Sequence, residues 1–131
     1  MNLRSLRIIT GDIKRLVQFF EQATGLPAQW YTDEFAEIVT GTATLAIGSM
    51  KTIALFGDGI AAPGTNKSVI IEFFVKNVDD DYEMIRQLTA DIVQQPTTMP
   101  WGNRSLLFRD PDGNLINFFT PVTADAIQKF N

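Results

Sequence analysis

Apolar side chains change their spacing near the start of the chain, and this change marks the first elements. A β-prone stretch over about residues 3–10 is followed by Gly11 and then by Asp12, a favourable residue for a helix N-cap. The next apolar side chains recur at helical spacing, at Ile13, Leu16, Val17, Phe20 and Ala23. Because Gly25 and Pro27 stop helices, the pattern predicts a strand followed by one helix.

Three strands, a short helix and a linker are predicted next. The strands are residues 28–33, 35–40 and 42–47. Ser49 is positioned to cap a short helix within residues 49–56, although this stretch also has β character. Residues 57–66 are rich in glycine, alanine and proline, which is typical of a linker.

The second half of the chain repeats this order of elements. A strand is predicted over residues 68–75, and Asn77 caps a helix. The apolar stripe of that helix is Val78, Tyr82, Ile85 and Leu88. Pro96 and Pro100 predict two short, separate strands, because proline cannot donate to a sheet ladder. The remaining elements are strands over 91–95 and 97–99, hairpin arms over 104–109 and 114–120, and a short helix after Thr123 that carries Ile127 and Phe130.

An internal repeat relates the two halves. Adding 65 to the number of Leu6 gives Ile71, and the same offset takes Asp12 to Asn77 without a gap. Strand, cap and helix stripe all superpose, so each half reads β-α-β-β-β. Neither half is large enough to bury a sheet face alone, and we expect the halves to pack together.

The composition removes several classes of chemistry. The chain has 131 residues, 45% of them hydrophobic, which indicates one globular domain. Without cysteine or histidine it has no disulfide, no thiolate, and neither the commonest metal ligand nor the commonest general base at neutral pH. A net charge of −4 with scattered basic residues argues against nucleic acid as a partner. No apolar run fits a membrane span or a signal peptide, so we expect a cytoplasmic protein.

Two motifs accompany the repeat. Pro100-Trp101-Gly102 precedes the final hairpin, and residues 108–116 read Phe-Arg-Asp-Pro-Asp-Gly-Asn-Leu-Ile. Pro111 and Gly113 suit a tight turn, which predicts a hairpin but carries no chemistry. Repeat and motifs together resemble the vicinal oxygen chelate superfamily, the group of glyoxalase I, bleomycin-resistance and fosfomycin-resistance proteins and extradiol dioxygenases.

The resemblance covers essentially the whole chain and implies its architecture. We expect an α+β fold in which two βαβββ modules form a half-open, eight-stranded cup, and many members of the superfamily are homodimers. Within one domain, 1–131, the expected parts are module one over 1–58, a linker over 59–66, module two over 67–121 and a tail over 122–131.

Metal-using members place a histidine near the start of each module's first strand and a glutamate on the last strand. The matching positions in this sequence are Ser5, Ile70 and Asn117, and residues 41–47 contain no acid. These side chains do not replace a site of two histidines and one carboxylate. We therefore expect no metal and no cofactor, and metal-dependent glyoxalase or dioxygenase activity is disfavoured.

Strand alternation predicts which side chains face the cup. If Ser5, Ile70 and Asn117 face the cup, Arg7 faces it too, because it lies two residues after Ser5 on the same strand. In a four-residue hairpin loop Phe108 lies opposite Leu115, which places Leu106 and Arg104 in the cup as well. Trp101, in a loop beside Gly102, is the best candidate for an aromatic contact. The predicted ligand-binding residues are Arg7, Glu72, Phe74, Trp101, Arg104, Asn117 and Phe119.

Arg7 and Glu72 are equivalent in the repeat, and three interpretations stay open. They form an ion pair, they orient a ligand, or Glu72 is the general base of a lyase or isomerase. The preferred function is binding of a small hydrophobic or aromatic molecule without a metal. The other alternative is a dimerisation or regulatory domain whose cup is filled by its own side chains. The sequence leaves open whether the protein is an enzyme.

Overall fold

Each half of the chain forms a four-stranded mixed sheet with a long helix packed against it. The computed structural model describes residues 1–131 and divides them into unit 1, Met1–Thr65, and unit 2, Asn66–Asn131. Both units begin with the element order β-α-β-β-β, so the predicted repeat and the α+β class are confirmed. No helix in either unit combines the length and apolar character that crossing a bilayer requires.

Unit 1 is a sheet with the strand order β1-β4-β3-β2, in which β1 runs parallel to β4. Its elements are β1 (Ser5–Thr10), α1 (Ile13–Thr24), β2 (Gln29–Thr32), β3 (Phe35–Val39), β4 (Thr44–Ser49) and α2 (Met50–Ile53). The Asp12 carboxylate caps α1 by accepting from the Arg15 N–H, and Gly25 ends the helix with a φ of 72°. The short helix predicted after Ser49 is confirmed as α2.

Unit 2 repeats this topology with the strand order β5-β8-β7-β6, in which β5 runs parallel to β8. Its elements are β5 (Ile70–Phe74), α3 (Val78–Leu88), β6 (Ile92–Thr98), β7 (Asn103–Arg109), β8 (Leu115–Pro121) and α4 (Ala124–Lys129). Asn77 caps α3 by accepting from the N–H groups of Asp79 and Asp80. The core between α3 and the sheet includes the buried Ile85, Leu106 and Phe108.

The expectation of two separate strands around Pro96 was wrong. A single strand, β6, runs from Ile92 to Thr98 and passes through the proline. β6 is the outermost strand of its sheet, so one of its edges needs no ladder partner. The register with β7 also shifts between Gln94 and Thr97, which is the irregular pairing that accommodates a residue without an N–H.

The predicted register of the final hairpin was wrong by one residue. Phe108 lies opposite Ile116, and Leu115 pairs with Arg109. Gly113 adopts a φ of 87°, which lets Asp110 pair with Asn114 across a three-residue loop. Since side chains alternate along a strand, the shift moves Leu106 and Phe108 to the helix-covered face, where both are fully buried.

Asp110 holds this turn together from inside the protein. Its Oδ1 accepts from the Asp112 and Asn114 N–H groups, each at 2.9 Å, and its Oδ2 accepts from the Asn114 Nδ2 at 2.8 Å. Burial raises the pKa of the Asp110 carboxyl, although these hydrogen bonds act in the opposite direction. The carboxylate therefore organises the loop at a desolvation cost that its three hydrogen bonds offset only in part.

Asp110→Ala is expected to lower the free energy of unfolding by about 2–3 kcal/mol, because it leaves buried donors without an acceptor. Urea unfolding followed by circular dichroism measures the change. Asp33→Ala, at an exposed turn of unit 1, is the matched control and should change stability by less than about 0.5 kcal/mol. Equal effects of the two substitutions would contradict a structural role for Asp110.

Candidate functional site

The face of the unit 2 sheet opposite α3, here called the open face of unit 2, carries most of the predicted ligand-binding residues. Register places Ile70, Glu72 and Phe74 of β5 directly opposite Leu115, Asn117 and Phe119 of β8. The prediction that these side chains share one face is confirmed. The helix α3 covers the other face of this sheet, and on the open face Phe74 is 57% exposed.

Glu72 and Asn117 form the polar centre of this face. The Asn117 Nδ2 donates to the Glu72 Oε2 at 2.8 Å, and Asn117 is only 8% exposed. Because an ionised carboxylate only accepts, the hydrogen bond fixes which way the amide points. The Asn117 Oδ1 is buried without a hydrogen-bond partner. The pair is thus an oriented carboxylate beside an amide whose acceptor is unsatisfied.

Three phenylalanine rings lie together at one end of the same face. Phe74 and Phe119 pack edge to face with their centroids 5.8 Å apart. Phe130, just after α4, lies 5.7 Å from Phe74 and 5.3 Å from Phe119. Phe119 is buried in this cluster, whereas Phe74 stays accessible. The arrangement presents a ring to solvent next to the Glu72–Asn117 pair.

Sequence reasoning identified Phe130 as an apolar position of the last helix but missed its place in this cluster. Thr123 caps α4, and the N–H groups of Val122 and Thr123 donate to the Gly102 carbonyl at 2.9 and 3.3 Å. A Cβ on Gly102 would lie 3.0 Å from the Ala126 side chain, and Gly102 has a φ of 95°. Only glycine fits this close approach, which anchors α4 to the β6–β7 turn.

Trp101 lies on that same β6–β7 turn, which the Gly102 N–H closes by donating to the Met99 carbonyl at 2.9 Å. The indole is 64% exposed and makes no ring contact with Phe74 or Phe119. Its predicted role in ligand binding stays a prediction.

Arg104 does not lie on the open face, because the corrected register places it opposite Thr120 on the side of α3. Its guanidinium donates from Nε and Nη2 to the two carboxylate oxygens of Asp79, at 2.8 and 2.9 Å. These hydrogen bonds and the charge of Arg104 lower the pKa of Asp79. The expectation that Arg104 shares a face with Asn117 was therefore wrong, and its observed partner is the first turn of α3.

Arg7 lies on the face of the unit 1 sheet opposite α1, here called the open face of unit 1. It pairs with Ala46 of β4, and its guanidinium carbon lies 4.8 Å from the ring centre of Phe35 and 5.5 Å from that of Phe56. Both distances suit cation–π contact. Arg7 and Glu72 lie in different units, and each makes these contacts within its own unit, so the predicted pairing between them stays a prediction.

Glu37 is a second charged residue of this face that sequence reasoning missed. It flanks Ala46 on the side away from Arg7, since Ala46 pairs with both. The neighbouring Glu37 raises the pKa of Tyr31, first through hydrogen bonding to the hydroxyl and then through its negative charge. Alternation along β3 from Phe35 could have placed Glu37 on the same face as Arg7.

The residues at the superfamily's metal positions do not fit a metal site of two histidines and one carboxylate. Ser5 pairs with Thr44, Ile70 pairs with Leu115, and Asn117 is bonded to Glu72. Nowhere in the chain do three or more histidine, cysteine, aspartate or glutamate side chains lie close enough to hold a metal ion. A hydroxyl, a hydrocarbon and an amide lack the donor strength that transition-metal sites need.

Comparison with known proteins places the chain in a family context. The family model described as the glyoxalase/bleomycin resistance protein/dioxygenase superfamily matches residues 2–118. A curated relative, the uncharacterized protein YraH of Bacillus subtilis (strain 168), is 28% identical over 126 residues, which cover 91% of this chain and 98% of YraH.

Solved structures with the same family description share the fold. One from Nocardioides is 19% identical, with a TM-score of 0.76 over 95% of this chain and 85% of the other. A family enzyme from Burkholderia phytofirmans PsJN is 15% identical, with a TM-score of 0.77 over 93% of this chain and 100% of the other. At these identities the likeness concerns the fold alone.

Arg104→Gln is expected to lower the free energy of unfolding at pH 7 by about 0.5–1 kcal/mol, the range for a partly exposed ion pair. Because Arg104 lowers the pKa of Asp79, the stabilisation is present above the ordinary pKa of aspartate and is lost as the pH falls through the lowered one. Urea unfolding at several pH values between about 7 and 2 measures this. A cost that persists unchanged at the acidic end would contradict the ion pair as its source.

Proposed function

Since the chain belongs to the glyoxalase/bleomycin resistance protein/dioxygenase superfamily, we propose that it binds a small hydrophobic or aromatic molecule without using a metal ion. The open face of unit 2 carries this proposal. It combines an accessible ring, Phe74, with a fixed polar pair, Glu72 and Asn117. Ligand sites of proteins are typically apolar surfaces with a few precisely placed polar groups.

The aromatic cluster favours a flat ligand. Phe74 is exposed although it is backed by the rings of Phe119 and Phe130, and exposed rings held by other rings offer area at little entropic cost. A flat ring packing on Phe74 gains the same edge-to-face or offset contact that Phe119 already makes. A ligand that also carries a hydrogen-bond donor gains a second contact, to the Glu72 carboxylate, which orients its ring, whereas a ligand without a donor gains the ring contact alone.

Metal independence is supported by the donor chemistry of this chain. The resemblance to the superfamily assigns the metal-ligand positions to Ser5 in unit 1 and to Ile70 and Asn117 in unit 2, which supply a hydroxyl, a hydrocarbon side chain and an amide. Glu72 supplies one carboxylate, and its Oε2 is already engaged by Asn117. These groups amount to too few strong donors for zinc, iron, nickel or manganese.

We further infer that the protein works in the cytoplasm as a homodimer, as many members of the superfamily are dimeric. The absence of cysteine is compatible with a reducing compartment. Sedimentation equilibrium of the purified chain tests the dimer.

Purified protein is expected to carry less than about 0.1 equivalent of any transition metal, because the donor set is weak. Inductively coupled plasma mass spectrometry after gel filtration measures this directly. Addition of Zn²⁺, Mn²⁺ or Ni²⁺ should leave the melting temperature unchanged, since only an ion that binds the folded state stabilises it. Stoichiometric metal, or stabilisation that Asn117→Ala removes, would overturn metal independence.

Menadione, a neutral flat quinone, is expected to raise the melting temperature of the wild-type protein at high concentration. Phe74→Ala should weaken its binding about fivefold, which corresponds to a ring–ring contact of about 1 kcal/mol. Leu55→Ala removes an exposed apolar side chain of unit 1 and serves as the matched control. If menadione and a panel of comparable quinones give no shift, or if both substitutions act equally, the proposed site is wrong.

A further inference from the structure

The open face of unit 1 carries a cation that the rest of that unit leaves available. Two ion pairs of unit 1 join Arg15 to Asp12 and Lys51 to Glu34, and neither involves Arg7. The one acidic side chain placed beside Arg7 by the register is Glu37, across Ala46, and it lies near enough to Tyr31 to raise the pKa of that hydroxyl. Arg7 is therefore a charge held in place by rings rather than by an opposite charge.

The two rings contact the Arg7 guanidinium without using its hydrogen-bond donors. Its carbon lies within cation–π distance of both Phe35 and Phe56. A guanidinium stacked on a ring keeps its N–H groups directed outward in its own plane. A carboxylate accepts two such N–H groups side by side, and this bidentate pair is among the strongest polar contacts in proteins.

The surroundings of Arg7 suit an aromatic ligand. Phe56 and Tyr31 are both exposed, 67% and 61%, and Tyr31 packs on Phe35 with ring centres 5.9 Å apart. Ala46 contributes only a methyl group between Arg7 and Glu37. The two exposed rings and the small Ala46 side chain therefore leave apolar surface beside the guanidinium, which an aromatic ring can cover.

We propose that the open face of unit 1 binds aromatic carboxylates, with Arg7 as the carboxylate anchor and the exposed rings of Phe56 and Tyr31 as the aromatic contacts. The inference rests on the proposed small-molecule function and names its ligand class. Its residues differ from those of the Phe74–Phe119 cluster, so the experiments on the two sites have separate outcomes. Arg7 recognises the charge of the ligand, and the neighbouring rings contact its aromatic part.

Isothermal titration calorimetry with benzoate and benzamide tests the proposal. The wild-type protein is expected to bind benzoate about tenfold more tightly than benzamide, which has the same shape without the charge. Arg7→Gln should remove this preference, and Arg7→Lys should restore part of it. Arg4→Gln, an exposed arginine just before β1, is the control and should behave as wild type.

Equal affinity of the wild-type protein for benzoate and benzamide would overturn the proposal, and this comparison needs no variant to fold. A preference for benzoate that survives Arg7→Gln, or that Arg4→Gln also removes, would overturn it as well. If menadione binds through Phe74 but benzoate shows no preference, the ligand class is wrong and the proposed function stands. If benzoate binds through Arg7 but no quinone binds, the hydrophobic site is wrong and this inference stands.

Discussion

The left-handed backbone at Gly113 is the constraint that decides what each face of unit 2 presents. With a φ of 87°, Gly113 returns the chain so that Asn114 pairs with Asp110, and every residue of β7 takes its partner on β8 from that pair. A change of one residue would exchange the two faces of β7. The buried Asp110 carboxylate, which accepts from Asp112 within the loop and from Asn114 at its far end, stabilises this register.

Much of the fold was predictable because it depends on local sequence patterns. The caps at Asp12 and Asn77, the helical stripes and the 65-residue repeat depend on neighbours in sequence, and the structure confirms them. The alternation along β5 and β8 is also local, so the shared face of Glu72 and Asn117 was predicted correctly. The hairpin register was not predicted correctly, because the same four turn residues fit either a four-residue loop or a three-residue loop with a left-handed glycine.

Contacts between distant segments explain what sequence reasoning missed at the site. Phe130 reaches Phe119 only because α4 is anchored at Gly102, where the glycine carbonyl accepts from Val122 and Thr123. Nothing in the periodicity of a six-residue helix says which sheet face it approaches. The segment after residue 118 also lies beyond the match to the family model. Phe119 and the Phe130 that covers it thus both lie outside the segment that the family model matches.

Arg7 and Arg104 show why a residue type alone does not identify a binding residue. Both were predicted to face a ligand from alternation, and both contact other side chains. Arg104 forms a bidentate pair with the Asp79 carboxylate through Nε and Nη2, so its charge is compensated within the fold. Arg7 meets ring faces, which attract its charge but accept few of its N–H groups. Arg7, whose partners are aromatic rings, is thus the arginine with hydrogen-bond donors left for a ligand. The difference between Arg7 and Arg104 depends on strand register, so it can be seen only when the neighbours of each guanidinium are known.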